Sequence, residues 1–373
     1  MFKRLRRSSQ EDSPAKSEAK RRIVFVLPGF SKHPVGGYKV VYTYANYLAR
    51  RGHDVTILHS LMLRGSRRLK SDFRLPIASV LAALRPFRRP EWFALDGKVR
   101  SLTLPYIAPS AVPSCDVVVA TEVQTANLVS AASRQSGSRG FYFIQHYEDW
   151  SAEPTFIDAT WTLDLKKIVI APWLKRHVES LSQECELIPN GIDPDEFPAG
   201  GPTQDRPHTV CAMVSDVPWK RTDLVVKVLN DLVAKYPEFS AVTFGTCERP
   251  EGLAEQITHV TTPSRETISH LYQSSRIYLC ASDGEGWHLP PAEAMSSGCA
   301  VVSTDIGGVR AYADGTALFS AVGDSQALLE NVDTLLSDPA LCQSVATRGL
   351  LRMREYTPEK AASNFEAALL RSR

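Results

Sequence analysis

From Ile23 to Leu27 the chain is continuously apolar, bounded by Arg22 and the Pro28-Gly29 breaker, which predicts a strand buried on both faces. After a loop at Phe30 to Val35, Gly36-Gly37 opens a segment whose apolar positions Val41, Tyr44, Ala45 and Leu48 fall at helical spacing, and Gly52 closes it. Val55 to Leu58 reads as the next strand, so strand, glycine-rich loop, helix and strand make a βαβ unit with a parallel sheet. Strand-like runs continue at Val117 to Ala120, Phe141 to Ile144 and Ile168 to Ala171, with helix-like or loop segments between them. A second series starts at Val210 to Val214. It adds a helix from Thr222 to about Tyr236, strands at Ala241 to Phe244 and Ile277 to Cys280, a helix from Pro291 to Ser297 and a strand at Ala300 to Ser303.

Between the two series, Asn190 to Pro207 is dense in Pro, Gly and Asp, which is linker chemistry. The expected fold class is therefore α/β with two Rossmann-like, doubly wound domains, residues 22–189 and 208–355, joined by residues 190–207. Residues 356–373 read as a C-terminal helix with the option of packing back on the first domain, and 1–21 as a disordered basic tail. Two such domains leave a cleft between the C-terminal edges of their sheets, and ligands of these sheets bind there.

Net charge is only +2, which argues against a bulk nucleic-acid binder, but the total conceals a split. Residues 1–190 carry 28 Lys and Arg against 17 Asp and Glu; residues 191–373 carry 15 against 24. The two domains thus face different partners. Seven scattered cysteines with no C-x-x-C pair imply neither a disulfide framework nor a zinc site, and a reducing cytoplasm fits them. No apolar run reaches the ~20 residues of a membrane span, and the basic N-terminus has no apolar h-region behind it, so it does not read as a secretory signal.

Candidate chemistry concentrates in Ser282 to Gly298, directly after the Cys280 strand. There the amides of Gly286, Trp287, His288 and Leu289 approach a helix start marked by Pro290-Pro291, whose partial positive charge suits a phosphate. Glu285 and Glu293, eight positions apart, cannot stack on one helix face, so each needs its own target. A carboxylate matches a vicinal diol by accepting two hydrogen bonds, which lets Glu293 hold a ribose and Glu285 a sugar hydroxyl.

The run EGWHLPPAEAM, followed by SGCAVVSTDIGGVRAYADG, resembles the E-x7-E signature of retaining glycosyltransferases of the GT-B fold, family 4. Gly36-Gly37, the Arg51-Gly52-His53 turn, the IPNGID run at Ile188 to Asp193 and the Lys220 region fall in that family's order. The resemblance implies a hexosyltransferase-type enzyme that moves a sugar, with retention, from a nucleotide diphosphate donor to a glycan or lipid-linked acceptor. Glu285 is then the carboxylate near the donor sugar, Glu293 the ribose ligand, Gly37 the glycine whose amide meets the diphosphate, and Lys220 the cation on the departing phosphates. His146, at the end of the Phe141 to Ile144 strand, resembles the histidine that contacts the donor sugar. The Gln145, Tyr147 and Glu148 pattern around it resembles some rhamnosyl-transferring members, a hint of cell-surface polysaccharide synthesis. Two departures stand out: Trp287-His288 replaces the usual Phe-Gly, and Ser215 stands where an arginine is usual, with Arg221 the neighbouring substitute.

No metal and no cofactor are expected, because lysine and amides supply the charge for the leaving group. Asp193-Pro194-Asp195 matches D-x-D, but in the linker such aspartates make turns. The first βα loop lacks G-x-G-x-x-G, which leaves a nicotinamide site unsupported. Leu61 to Phe93 sets eight basic residues around an apolar stretch, Leu75 to Leu84; it reads equally as an anionic-membrane contact, at the inner face of the plasma membrane, and as a core helix with basic flanks. Bases are not interleaved with aromatic residues, so a nucleic-acid partner is not expected. Rival readings are another GT-B enzyme, such as an epimerase or phosphorylase, and a nucleotide-sugar-binding partner without catalysis.

Overall fold

The structure is a computed structural model and describes residues 20–62 and 87–371. The predicted tail up to residue 19 and the Leu75 to Leu84 stretch lie outside these residues.

Two parallel sheets form the frame. The first runs β3-β2-β1-β4-β5-β6-β7, from β1 (Arg22–Leu27), β2 (Asp54–Met62), β3 (Arg100–Tyr106), β4 (Val117–Ala120), β5 (Arg139–Ile144), β6 (Lys166–Val169) and β7 (Cys185–Leu187). The second runs β10-β9-β8-β11-β12-β13, from β8 (His208–Met213), β9 (Ala241–Gly245), β10 (Thr258–Thr261), β11 (Ser275–Cys280), β12 (Ala300–Thr304) and β13 (Leu318–Ser320). The central strands β1 and β4 read almost wholly apolar, and they and β12 are buried on both faces, as helix-covered parallel strands must be. In each sheet the winding reverses once, between β1 and β4 and between β8 and β11. The loops after these strands open a crevice at the reversal, the place where ligands of such sheets bind.

The helices are α1 (Gly36–Arg50), α2 (Val123–Ser136), α3 (Pro154–Trp161), α4 (Pro172–Ser180), α5 (Thr222–Lys235), α6 (Arg265–Gln273), α7 (Leu289–Ser296), α8 (Gly307–Ala313), α9 (Ser325–Ser337), α10 (Pro339–Met353) and α11 (Pro358–Leu370). Two sequence expectations shift. Ala171 is not strand but the cap before α4, and α7 begins at Leu289, two residues before the predicted Pro291. Prolines at the second and third positions of α7 cost it nothing, because those N–H groups have no partner in a helix.

The chain passes between the domains twice. Ile192 N–H donates to Tyr356 O (2.9 Å), and Gly191 lies so close to the Thr357 backbone that a Cβ would meet its carbonyl carbon at 2.1 Å. Beyond this crossing, α11 packs on the first domain. Phe365 sets its ring against Tyr44 (4.7 Å), Phe143 (5.2 Å) and Phe25 (6.0 Å), while Glu366 accepts from His53 Nε2 at 2.8 Å and pairs with Arg51.

Candidate active site

The loop after β11 crosses the cleft. Gly286 O accepts from Trp173 Nε1 (3.0 Å), and a Cβ at Gly286 would stand 1.9 Å from Gln145 O. Only glycine lets the two domains meet here. Beside it the Leu289 side chain lies 3.5 Å from where a Cβ of Gly36 would be, so the N-termini of α1 and α7 face each other. Both ends carry positive partial charge, a suitable seat for a phosphate. Gly37 sits in the first turn of α1, its carbonyl accepting from Gln145 Nε2 at 3.3 Å.

Glu285, Lys220, His288 and His146 converge around this crossing. Lys220 ends the turn Pro218–Lys220, and its Nζ lies 2.5 Å from Glu285 Oε1 and 3.4 Å from His288 Nε2. His146 Nε2 is buried without a partner. His146 Nδ1 is 2.9 Å from Tyr147 O, which places the proton on Nδ1 and leaves Nε2 a lone pair. Burial lowers the His146 pKa and drives that of His288 down to about 3, so both rings are neutral at neutral pH. Burial would raise the Glu285 carboxyl, but the neighbouring His288 and Lys220 outweigh it and hold it below the usual range. Because His288 is neutral, Lys220 is the charge that keeps Glu285 ionised.

His288 adopts φ +38°, a left-handed conformation that costs energy for a residue with a Cβ and is seen mostly where function requires it. Tyr312 Oη donates to its carbonyl at 2.8 Å, and Cys280 Sγ lies 3.4 Å from Nδ1.

Glu293 lies one turn into α7 and is buried with its own partners. Oε1 is 3.2 Å from Arg265 Nη2 and 3.8 Å from Lys39 Nζ, and Oε2 accepts from Tyr272 Oη at 3.3 Å. Glu196 bridges the same cations, 2.6 Å from Arg265 Nε and 3.0 Å from Lys39 Nζ. Lys39, on α1, carries this network from one domain to the other.

The Trp287 side chain is core, 2% exposed, against Tyr312 (4.5 Å) and Tyr356 (5.9 Å), so only its backbone belongs to the site. Arg221, next to Lys220 and in a left-handed conformation itself, pairs with Asp223 (2.9 Å) and Asp283 (3.1 Å). Ser215 caps that turn, accepting from Val217 N–H at its hydroxyl and from Thr222 Oγ1 at its carbonyl. Asp193 and Asp195 form a turn, with Asp195 N–H donating to Asp193 Oδ1 at 2.9 Å. Reading the sequence missed Lys39, Glu196 and Arg265. The signal for Lys39 is its place two residues after the glycine pair, but Arg265 has no local motif.

Residues 208–338, about a third of the chain, match the family model described as glycosyl transferases group 1, and the stretch contains Lys220, Glu285 and Glu293. A lipopolysaccharide core biosynthesis mannosyltransferase of Rhizobium leguminosarum bv. viciae is 30% identical over 168 residues, 40% of this chain and 46% of that protein. A phosphatidyl-myo-inositol mannosyltransferase of Mycolicibacterium smegmatis is 27% identical over 206 residues, 51% and 53% of the two chains. The chain thus spans about half the length of the curated relatives it matches. Among solved structures, sucrose-phosphate synthase of Thermosynechococcus elongatus superposes with TM-score 0.73 at 15% identity, covering 94% of this chain and 98% of that one. Anabaena Alr3699/HepE in complex with UDP-glucose gives 0.68 at 15% identity, covering 94% and 99%. The two facing sheets are the GT-B fold.

Proposed function

We propose that the protein is a glycosyltransferase that moves a hexose from a nucleoside diphosphate donor to a glycan or lipid-linked acceptor with retention of configuration. The observation that carries this reading is the convergence of Lys220, Glu285 and His146 where the two domains touch, with Glu285 held ionised by Lys220 and His146 Nε2 buried and unpartnered. A buried ring nitrogen without a partner is costly, and a sugar hydroxyl donating to His146 Nε2 satisfies it. The diphosphate then lies between Lys220 and the facing starts of α1 and α7, and the ribose diol near Glu293. As the sugar–phosphate bond breaks, charge grows on the leaving oxygen, and Lys220 with the helix-start amides stabilises it without a metal. The leaving phosphate takes the proton of the acceptor hydroxyl as that oxygen attacks from the same face of the sugar ring.

Mannose is the first sugar to test, because three relatives are named mannosyltransferases; rhamnose, suggested by Gln145, Tyr147 and Glu148, is the second. The basic Leu61 to Phe93 segment is the proposed contact with an anionic membrane bearing the acceptor, a peripheral cytoplasmic location that liposome flotation tests. A thermal-shift panel of nucleotide sugars tests the central claim, since a ligand that binds only the folded state raises the melting temperature. The panel is followed by nucleotide release from the ligand that binds, with and without chelator. A panel in which no nucleotide sugar shifts melting rejects the reading, and strict dependence on a divalent ion rejects the metal-free leaving group.

A further inference from the structure

Four of the six tryptophans, Trp92, Trp161, Trp173 and Trp287, belong to the hydrophobic core. Trp150 and Trp219 belong to neither of its clusters. They come from opposite domains, Trp150 from the loop after β5 and Trp219 from the turn after β8, and stack with centroids 5.1 Å apart and planes 21° apart. Trp150 remains 40% exposed. Its ring meets His146 edge to face at 4.6 Å, and Trp219 immediately precedes Lys220. Asp283 N–H donates to Trp219 O at 2.8 Å, which ties the second indole to the Glu285 loop. An open aromatic surface therefore stands at the mouth of the cleft, beside the unpartnered His146 Nε2, where core packing does not require it.

We propose that Trp150 and Trp219 form a carbohydrate-acceptor subsite, on which a pyranose ring of the acceptor lays its C–H face. This rests on the glycosyltransferase reading above. A pyranose is amphipathic: its hydroxyls lie around the rim and its axial C–H bonds form an apolar, slightly positive patch. The negative face of an indole attracts such a patch and shields it from water, while the rim hydroxyls stay free for polar groups. A sugar seated on Trp150 is next to His146 and so within reach of the reacting carbon. Because each domain supplies one ring, the subsite is complete when the two domains meet as they do here.

The full-length protein is titrated with methyl α-D-mannopyranoside, methyl α-D-glucopyranoside and methyl α-L-rhamnopyranoside, with the open-chain mannitol as control, and read by tryptophan fluorescence and by saturation-transfer NMR. At least one glycoside should bind and perturb the tryptophan signal, and mannitol should not. Trp150→Ala and Trp219→Ala should each weaken that binding about 10-fold, equal to about 1.4 kcal/mol. Trp150→Phe, which keeps a π-face, should keep part of it. Circular dichroism checks the stack directly, because coupled indoles give an exciton couplet that either single Trp→Phe change removes. Binding unchanged in both alanine variants, or no glycoside bound, overturns the proposal. So does loss of the donor-induced melting shift in Trp150→Ala, since the pair would then be holding the domains and not the acceptor. Failure of every nucleotide sugar to shift melting in the wild type is a separate result and strikes the glycosyltransferase reading instead.

Discussion

Lys220 and Glu285 lie 2.5 Å apart with side chains only 18% and 11% exposed, and each is what makes the other's burial tolerable. Lys220→Met should leave a buried carboxylate without its cation, at a cost of about 3–5 kcal/mol in denaturant unfolding. Glu285→Gln in the Lys220→Met background should recover part of that stability while transfer stays absent. If the double variant is no more stable than the single, the pair is not coupled.

Glu293 shares its charge with Arg265 and Lys39 before any ligand arrives. Glu293→Gln should lower affinity for the nucleoside diphosphate by about 1.5–3 kcal/mol, the scale of a charged hydrogen bond. Calorimetry with the nucleotide alone reads this, and an unchanged Kd removes Glu293 from the ribose. Arg265→Met should weaken binding as well, since it frees Glu293 from the cation that orients it.

Gly286→Ala places a methyl group 1.9 Å from Gln145 O, so the loop has to retreat from the first domain. A displacement of about 1 Å at a reacting centre costs roughly a hundredfold in rate. Nucleotide release should fall by that order while the unfolding midpoint barely moves, because the change removes no buried apolar side chain from the core. Wild-type turnover in the variant would mean that this contact is not needed for the reaction.

Stability should fall in acid, and the sign follows from which groups resist protonation. Burial pushes His59 down to about 4 against the hydrogen bond to Gly29, and His288 to about 3. Below the unfolded value of about 6.5 the unfolded chain therefore takes up protons that the native chain refuses, until the native values are reached. Glu285, held low, adds loss in the same direction as pH drops through the carboxylate range. Glu148 has the opposite sign. Burial and then the charge of Glu122 raise it, against the Val123 N–H that it accepts at 2.8 Å. Glu148→Gln should therefore stabilise the protein at neutral pH and lose its advantage in acid. Urea midpoints taken between about pH 8 and pH 4 test both signs.

The elements that the hydrophobic pattern reveals are the inner ones. The strands it does not reveal are β3, β7, β10 and β13, and these are the outermost strands of the two sheets. Thr258–Thr261 has no fully buried residue and Leu318–Ser320 only one, so neither the apolar run nor the alternation that marks a strand is present. The site divides in the same way. Glu285, Glu293 and Lys220 stand in loops and helix starts with local signatures, whereas Arg265 reaches Glu293 from another helix, a relationship that exists only in three dimensions. Trp287 is the reverse case: its neighbours are site residues, yet its ring turns inward to Tyr312.

The two passages of chain between the domains run side by side, joined at Ile192 and Tyr356 and pressed together at Gly191 and Thr357. A single tether would let one domain swivel freely over the other, but two tethers fastened to each other leave one easy axis, like the pin of a door. Rotation about that pin moves nearby groups little and distant ones far, so the travel of each contact on opening grows with its distance from Gly191. A side chain added at Gly191 would loosen the pin without touching the cleft, and the damage would appear as lost alignment between two intact halves.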